Sequence, residues 1–322
     1  MNILHLKLNP RCWSALGIAL LFLLMHAVYS QQAQSQSNEP PAEWKAVQGA
    51  MGRSGELQPD GTFKFSMPRK DLKVTVAGTQ VKPGFALGSW TAFKKGGKEA
   101  MIMGDLVLTE DEVSPVMQKL EEGGIEVTAL HNHLLHESPR VMYMHIGGMG
   151  DPVKMAQTIS AALSLTGTPS GDRGGGQEST QIGIDTSKIE QTLGHKGRVK
   201  GGVFQFSIPR AKSTAFQPVE SDQVTGGASI PNSMGVAQSI NFQPTDSGKA
   251  AITGDFVLVA KEVNPVIRAL RANGIEITAL HSHMLEDEPH LFFMHFWAND
   301  DPGKLAAGLK AALDKIDVKK EQ

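Results

Sequence analysis

Alternating apolar and polar residues predict several β-strands in this chain. Phe63–Met67 and Phe204–Ile208 alternate with a period of two, as in strands that bury one face. Met101–Leu108 is a further apolar run, which we interpret as a strand. Glu110–Glu122 instead has its apolar residues at helical spacing, and two glycines follow it as a stop signal. These segments predict a mixed architecture of strands and helices.

A β-hairpin and a second helix complete the predicted unit. Ile125–Leu135 and Val141–Ile146 are its strands, and Glu137–Pro139 is the turn between them. Asp151 and the proline after it provide an N-cap and a first-position proline for a helix that runs to about residue 165. Strand, helix, hairpin and helix give a βαββα core. The fold class is therefore α+β, an antiparallel sheet with helices on one face, as in ferredoxin-like folds.

The predicted unit occurs twice along the chain. From about residue 100, AMIMGDLVLTEDEVSPVMQKLEEGGIEVTALHNH aligns without a gap with AAITGDFVLVAKEVNPVIRALRANGIEITALHSH, 150 residues later. A period of this length indicates a duplicated domain, because solenoid repeats are much shorter. We assign repeat domain 1 to residues 42–165, a Gly- and Ser-rich linker to 166–183 and repeat domain 2 to 184–318, and we expect the repeats to pack on each other.

The N-terminus has the pattern of a secretory signal. Lys7 and Arg11 precede the apolar run Trp13–Val28, so residues 1–30 are predicted to be a signal peptide, with a retained anchor as the alternative. Residues 31–41 are polar and end in prolines, which predicts a disordered spacer. The protein is therefore expected in the periplasm or secreted, without a stable membrane span after cleavage. Cys12 is the only cysteine, and it lies in this leader, so no disulfide is expected.

Composition and charge exclude one class of partner. The formal net charge is −2, the sequence pI is about 6.6, and 40% of the residues are hydrophobic. A nucleic-acid-binding protein would carry a basic excess, so no nucleic-acid partner is predicted. The composition is that of an ordinary globular protein.

Histidines are concentrated in the two hairpins. Nine histidines follow the leader, and eight of them lie in residues 124–148 and 274–298. Three positions match between the copies. They are His131, His133 and His145 in the first repeat and His281, His283 and His295 in the second.

Strand geometry predicts that each set of three histidines converges. Alternate residues of a strand share a face, and a histidine on the returning strand can face that pair from across the hairpin. Three imidazoles suit Zn²⁺ or Cu²⁺, and we favour zinc. Glu137 and Asp287, at the matching turn positions, are the candidate catalytic bases or fourth ligands. The sequence thus predicts a divalent-metal site in each repeat, for metal binding or metal-assisted hydrolysis of an envelope substrate.

Two other interpretations of the histidines stay open at this point. They could form a structural or anion-binding cluster, in a non-enzymatic envelope interaction module, or they could perform acid–base catalysis without a metal. Tyr143 becomes Phe293 in the second copy, so a phenol is not essential to both sites. Asp105 and Asp255 also recur, in GDLVL and GDFVL, and we interpret them as turn residues that open a strand.

The duplicated segments resemble a known family. ALHNHLLHESPRVMYMHIGGMGDPVK and GDLVLTEDEVSPVMQKLEEGGIEVTAL, with FSMPRKDLKVTV and ALGSWTAF, resemble the LppY/LpqO family of bacterial envelope proteins. That resemblance implies an envelope location and a doubled domain of unknown function, and it supplies no catalytic residues. HNHLLHE also has the metal-ligand spacing of cupins, but the Glu110–Glu122 helix directly before the hairpin is foreign to a jelly roll.

Overall fold

A computed structural model describes residues 40–170, 182–216 and 228–320 of the 322-residue chain. The predicted signal peptide lies outside these residues, as do all but the last two positions of the predicted spacer and most of the predicted linker. Across the described ranges, no helix is long and apolar enough to span a membrane.

The first repeat contains four helices and nine strands among the described residues. A short 3-10 turn (Ala42–Trp44) leads into the first of them. In chain order they are α1 (Lys45–Met51), β1 (Glu56–Leu57), β2 (Phe63–Pro68), β3 (Thr75–Val76), β4 (Thr79–Gln80), α2 (Pro83–Ala86), β5 (Gly88–Gly96), β6 (Glu99–Thr109), α3 (Glu110–Glu122), β7 (Glu126–His131), β8 (Glu137–Ser138), β9 (Val141–Gly150) and α4 (Pro152–Leu163).

The second repeat follows the same order except that a 3-10 turn, Asn232–Met234, stands in place of α2, and it has another 3-10 turn at Asp246–Gly248. Its elements are α5 (Thr186–Leu193), β10 (Arg198–Lys200), β11 (Val203–Pro209), β12 (Ala215–Phe216), β13 (Ala228–Ser229), β14 (Ala237–Pro244), β15 (Ala250–Val259), α6 (Ala260–Ala272), β16 (Glu276–His281), β17 (Asp287–Glu288), β18 (Leu291–Asp300) and α7 (Pro302–Leu313).

Each repeat builds one antiparallel six-stranded sheet. The strand orders are β1-β2-β5-β6-β9-β7 and β10-β11-β14-β15-β18-β16, so β7 and β16 are edge strands. Each repeat also has a three-stranded sheet, β4-β3-β8 in the first and β13-β12-β17 in the second. The predicted α+β class and the predicted antiparallel sheet of each repeat are confirmed. The strand predicted from Ile125 to Leu135 is shorter, because β7 ends at His131 and the hairpin turn begins there.

Helices cover the outer face of each sheet. In the first repeat, Trp44, Phe65, Leu106, Leu120 and Met144 belong to one buried cluster between the sheet and α1, α3 and α4. The matching cluster of the second repeat joins its sheet to α5, α6 and α7. Alternation along β9 and β18 sends Met144 and Met294 into these outer cores, so the residues beside them in sequence face the other way.

The inner faces of the two sheets pack on each other. One buried cluster combines Val107 and Tyr143 of the first repeat with Trp297 of the second. Another combines Met103 of the first repeat with Phe293 of the second. The layers therefore run helices, sheet, sheet, helices, and the expected contact between repeats is the central core of the fold.

Reciprocal hydrogen bonds fix the two hairpins against each other. Thr128 Oγ1 donates to the carbonyl oxygen of His283 at 2.6 Å, and Thr278 Oγ1 donates to that of His133 at 2.5 Å. These residues are equivalent at the repeat spacing of 150, so the contact has an approximate twofold symmetry.

Gly254 permits the close approach of β14 and β15, and a side chain there should destabilise the second sheet. A Cβ atom at Gly254 would lie 2.0 Å from the backbone oxygen of Ser239. Gly254→Ala should therefore lower the free energy of unfolding by about 1–3 kcal/mol, the usual cost of overpacking, as measured by urea denaturation. Gly147→Ala is the matched control, because its Cβ would meet Thr128 Cγ2 at an ordinary 3.5 Å. Equal losses in both variants would contradict this explanation.

Candidate metal centre

The six histidines lie on the inner faces of the sheets, at the edge where β7 and β16 meet. His131 ends β7, His133 follows it in the turn, and His145 is on β9. The hairpin register pairs His131 with Tyr143 and His145 with Ala129, with an irregularity between Val127 and Ala129. His145 is therefore diagonal to His131 and not directly opposite, but the two ring centroids are still 5.0 Å apart.

The histidines of both repeats form one cluster. The ring centroids of His131 and His281 are 3.5 Å apart. His133 lies 3.8 Å from His295, and His145 lies 3.7 Å from His283. His281, His283 and His295, predicted as the site of the second repeat, form one possible ligand set, and the three histidines predicted for the first repeat adjoin them. The packing of the two inner faces brings all six imidazoles together, so the histidines of one repeat contact those of the other.

Four sets of three side chains place their ligand atoms within 4.8 Å of one another. Three of these sets contain only histidines, and two of them draw on both repeats. The sets are His131, His145 and His281; His131, His133 and His295; His281, His283 and His295; and Asp105, His133 and His145.

Two aspartates that the sequence analysis interpreted as turn residues lie in this cluster. Asp105 is opposite His145 in the β6–β9 ladder, and Asp255 is opposite His295 in the β15–β18 ladder. Asp105 Oδ2 is 3.8 Å from His133 Nε2, and Asp255 Oδ2 is 3.5 Å from His283 Nε2. The signal that could have found them is the repeated GD dipeptide, combined with the register between the strand and the hairpin.

Each histidine of the cluster has a buried ring nitrogen without a hydrogen-bond partner in the described part of the chain. The atoms are Nε2 of all six rings, and also Nδ1 of His281. The Oδ1 atoms of Asp105 and Asp255 are also buried without a hydrogen-bond partner. Buried polar atoms in proteins normally have hydrogen-bond partners. A group of unsatisfied nitrogen and oxygen atoms in one place therefore indicates a site for a ligand. Lone pairs on neutral imidazoles are the ligands that zinc and copper take.

Burial keeps these imidazoles neutral. It lowers the pKa of His131 to about 4 and that of His295 to about 3, against an ordinary value of 6.5. Burial also lowers the pKa of His133, His145 and His283 well below that value, and neighbouring histidines add to the effect. The site therefore presents nitrogen lone pairs at neutral pH, without a proton to displace.

Burial affects the two aspartates in the opposite direction. It raises the pKa of Asp105 to about 8, although the charge of Lys64 acts against this shift. The pKa of Asp255 is raised well above its ordinary value by burial and by the nearby Asp105. A cation bound between the carboxylates and the imidazoles would remove this cost of ionisation.

Backbone carbonyls orient two of the rings. His295 Nδ1 donates to the carbonyl oxygen of Gly254 at 2.8 Å, which leaves Nε2 as the lone-pair atom that faces the cluster. In the first repeat, His145 makes the equivalent hydrogen bond to the backbone carbonyl of Gly104. Outer hydrogen bonds of this kind are typical of histidines that bind metals.

Glu137 and Asp287, the predicted catalytic carboxylates, lie in the hairpin turns. Glu137 Oε1 accepts from the backbone N–H of Val141 at 3.2 Å, and burial raises the pKa of Glu137 to about 7. Asp287 accepts from the backbone N–H of Leu291 at 2.7 Å and contacts His290 Nδ1 at 2.7 Å. Within the described ranges, neither joins any of the four ligand sets.

Aromatic rings close one side of the cluster in each repeat. Tyr143 stacks on His133 with ring centroids 3.4 Å apart, and Phe293 stacks on His283 at the same distance. The Tyr143 hydroxyl donates to the carbonyl oxygen of Ala86 at 2.8 Å, away from the histidines. The ring, which both copies keep, is therefore the part that shapes the site.

Comparisons with known proteins place the chain in a family but not in a functional class. No curated protein sequence matches it. Among solved structures, the trimeric bacterial microcompartment shell protein PduB is 12% identical, with 83% of this chain and 96% of that one covered at a TM-score of 0.20. EtuB from Clostridium kluyveri is 9% identical, with 80% and 90% covered at a TM-score of 0.19. Scores this low carry no argument about fold or function.

The family profile described as Domain of Unknown Function (DUF1259) matches residues 45–165 and again residues 187–315. The two matches correspond to the two sheets with their helices. The LppY/LpqO name stays an expectation from the sequence, because the profile does not carry that name. The chain belongs to the DUF1259 family and contains its domain as a tandem repeat.

Proposed function

We propose that this protein binds a divalent transition metal, zinc in preference to copper, in the histidine cluster between its repeats. One observation carries the proposal: six imidazoles, contributed by both repeats, turn buried and unpartnered ring nitrogens towards one another. Nitrogen ligands with their lone pairs free are suited to Zn²⁺ and Cu²⁺, and less to Mg²⁺ or Ca²⁺, which prefer oxygen.

A purely structural role for the histidines is less consistent with the contacts. Histidines that support a fold are expected to donate and accept hydrogen bonds with their neighbours. Here the ring centroids lie 3.5–3.8 Å apart across the repeats, with two pairs stacked and the His131–His281 pair tilted, and the Nε2 atoms have no described partner. Without a ligand, this arrangement would cost free energy through desolvation.

Metal binding is favoured over metal-assisted hydrolysis of an envelope substrate. Hydrolysis requires an open ligand position that water and substrate can reach. The unpartnered nitrogens of the cluster are shielded from solvent, and the side chains of His145, His283 and His295 are at most 5% exposed. Only His131, His133 and His281 are partly exposed, on the side of the edge strands.

Metal analysis of the untagged full chain tests the proposal. The wild type should purify with zinc or take it up on titration, and His145→Ala/His295→Ala should lose most of that capacity, because every one of the four ligand sets includes one of these two rings. Inductively coupled plasma mass spectrometry after gel filtration gives the metal content per chain.

His136→Asn is the matched control for this experiment. His136 is in the same hairpin, but its side chain is 68% exposed and lies outside the ligand sets. Its φ of 56° is also one that asparagine tolerates. This variant should bind metal as the wild type does. Absence of metal from the wild type, together with no uptake of Zn²⁺ or Cu²⁺, would exclude the proposal.

A further inference from the structure

The cluster contains more ligands than one ion can use. Six histidines and two aspartates offer eight side chains, whereas zinc takes about four protein or water ligands and copper a similar number. One ion would leave about half of the buried nitrogens and carboxylates without partners, and each such atom is costly. The number of unsatisfied groups therefore indicates more than one ion.

The ligand sets can be divided so that they share no residue. Asp105, His133 and His145 form one set, all from the first repeat, and His281, His283 and His295 form another, all from the second. Each set has the three protein ligands of a site with one further position. His131 belongs to two other sets, which reach into both of these groups.

The positions of the aspartates match those of ligands that share an ion. Asp105 Oδ2 to His133 Nε2 is 3.8 Å and Asp255 Oδ2 to His283 Nε2 is 3.5 Å, too long for direct hydrogen bonds. Two ligands at about 2.0–2.2 Å from a tetrahedral ion lie about 3.3–3.6 Å apart, close to these separations. The equivalent position of both carboxylates in the two ladders repeats the arrangement in each half.

We propose that the cluster holds two metal ions, one on Asp105, His133 and His145 and the other on His281, His283 and His295 with Asp255 beside them. His131 lies between the two ions and is available to either. The two carboxylates offset part of the charge that two divalent cations bring into a buried site. This inference rests on the proposed metal binding, but it can fail while that proposal stands.

Zinc stoichiometry of the full chain is the first test. Equilibrium dialysis of metal-free wild-type protein against Zn²⁺ should reach two ions per chain, and Asp105→Asn should reach about one, because an amide is a much poorer ligand than a carboxylate. Asp255→Asn should weaken the uptake of the second ion in the same way. Circular dichroism and gel filtration confirm that each variant is folded.

Glu126→Gln is the matched control, because Glu126 is an exposed carboxyl of the same repeat, on β7, that lies outside the four ligand sets. It should retain two ions. Two ions in Asp105→Asn as well would remove the aspartate from the ligand set and overturn the inference.

The wild type alone provides an independent test that does not depend on how a variant folds. Loaded with Cu²⁺, neighbouring ions should couple magnetically, so the electron paramagnetic resonance signal should account for much less copper than metal analysis finds. One ion per chain with a full signal would overturn the two-ion inference and leave the proposed function intact. No binding at all would overturn both.

Discussion

Treatment with a metal chelator should lower the melting temperature of the wild-type protein by on the order of 10 °C, as expected from the proposed metal binding. A ligand that binds only the folded state at about 1,000 times its dissociation constant stabilises that state by about 4 kcal/mol. In this protein the effect should be large, because the proposed ligands lie on the inner faces of both sheets, where the two repeats pack on each other. Differential scanning calorimetry with and without dipicolinate measures the shift.

The variants show whether this effect comes from the cluster. His145→Ala/His295→Ala should melt at one temperature with and without chelator, because every ligand set loses a ring, whereas His136→Asn should respond as the wild type does. If the histidines only supported the hairpins, the wild type would be insensitive to chelator. Re-addition of Zn²⁺ to the stripped wild type should restore its melting temperature, which separates metal loss from damage by the chelator.

Glu262→Gln should lower the free energy of unfolding by about 3–5 kcal/mol, the usual cost of leaving a buried charge without its partner. The Arg210 side chain is 7% exposed, and its guanidinium bonds both carboxylate oxygens of Glu262, at 2.7 and 3.1 Å. Glu262 also accepts from the backbone N–H of Val259, at the start of α6. Urea denaturation followed by circular dichroism measures the loss.

The first repeat provides a matched control in Glu112→Gln. Arg69 contacts Glu112 in the same way, but it also bonds Asp71, at 3.0 and 2.8 Å. Its guanidinium therefore keeps an anionic partner when Glu112 becomes neutral, and the loss should be smaller than in Glu262→Gln. An equal loss in both variants would mean that Asp71 does not support the arginine.

At acidic pH, the free energies of unfolding of the wild type and of Glu262→Gln should become similar. Burial alone would raise the pKa of Glu262, but hydrogen bonds from Arg210 and from the backbone N–H groups of Val259 and Asp317 hold it below its ordinary value. A carboxyl with a lowered pKa in the folded state contributes stability above its unfolded-state pKa. That contribution disappears as the pH falls through the folded-state pKa.

Much of the fold was predictable from local patterns. The helix predicted at Glu110–Glu122 has those bounds, and Asp151 caps the next helix by accepting from the N–H groups of Val153 and Lys154. These features depend on residues a few positions apart, so the sequence specifies them directly. The gapless alignment of the copies likewise predicted two equivalent sheets.

The arrangement of the site was harder to predict, for a physical reason. Alternation along β9 shows that His145 faces away from the helices, but it does not show what covers that face. The packing of one inner face on the other decides this, and it places His283 3.7 Å from His145. Asp105 was missed for a related reason. Its place opposite His145 depends on the register of β6 with β9, and α3, β7 and β8 separate these two strands in the chain.

The paired threonine bonds, from Thr128 to the His283 carbonyl and from Thr278 to the His133 carbonyl, have a consequence for how such repeats can assemble. An interface in which equivalent groups exchange the same contact is the kind that two identical subunits form. A chain with one such repeat could form the same contact with a second copy of itself and bring six imidazoles together at the twofold axis. Within one chain the two halves can differ, as Tyr143 and Phe293 do at equivalent positions.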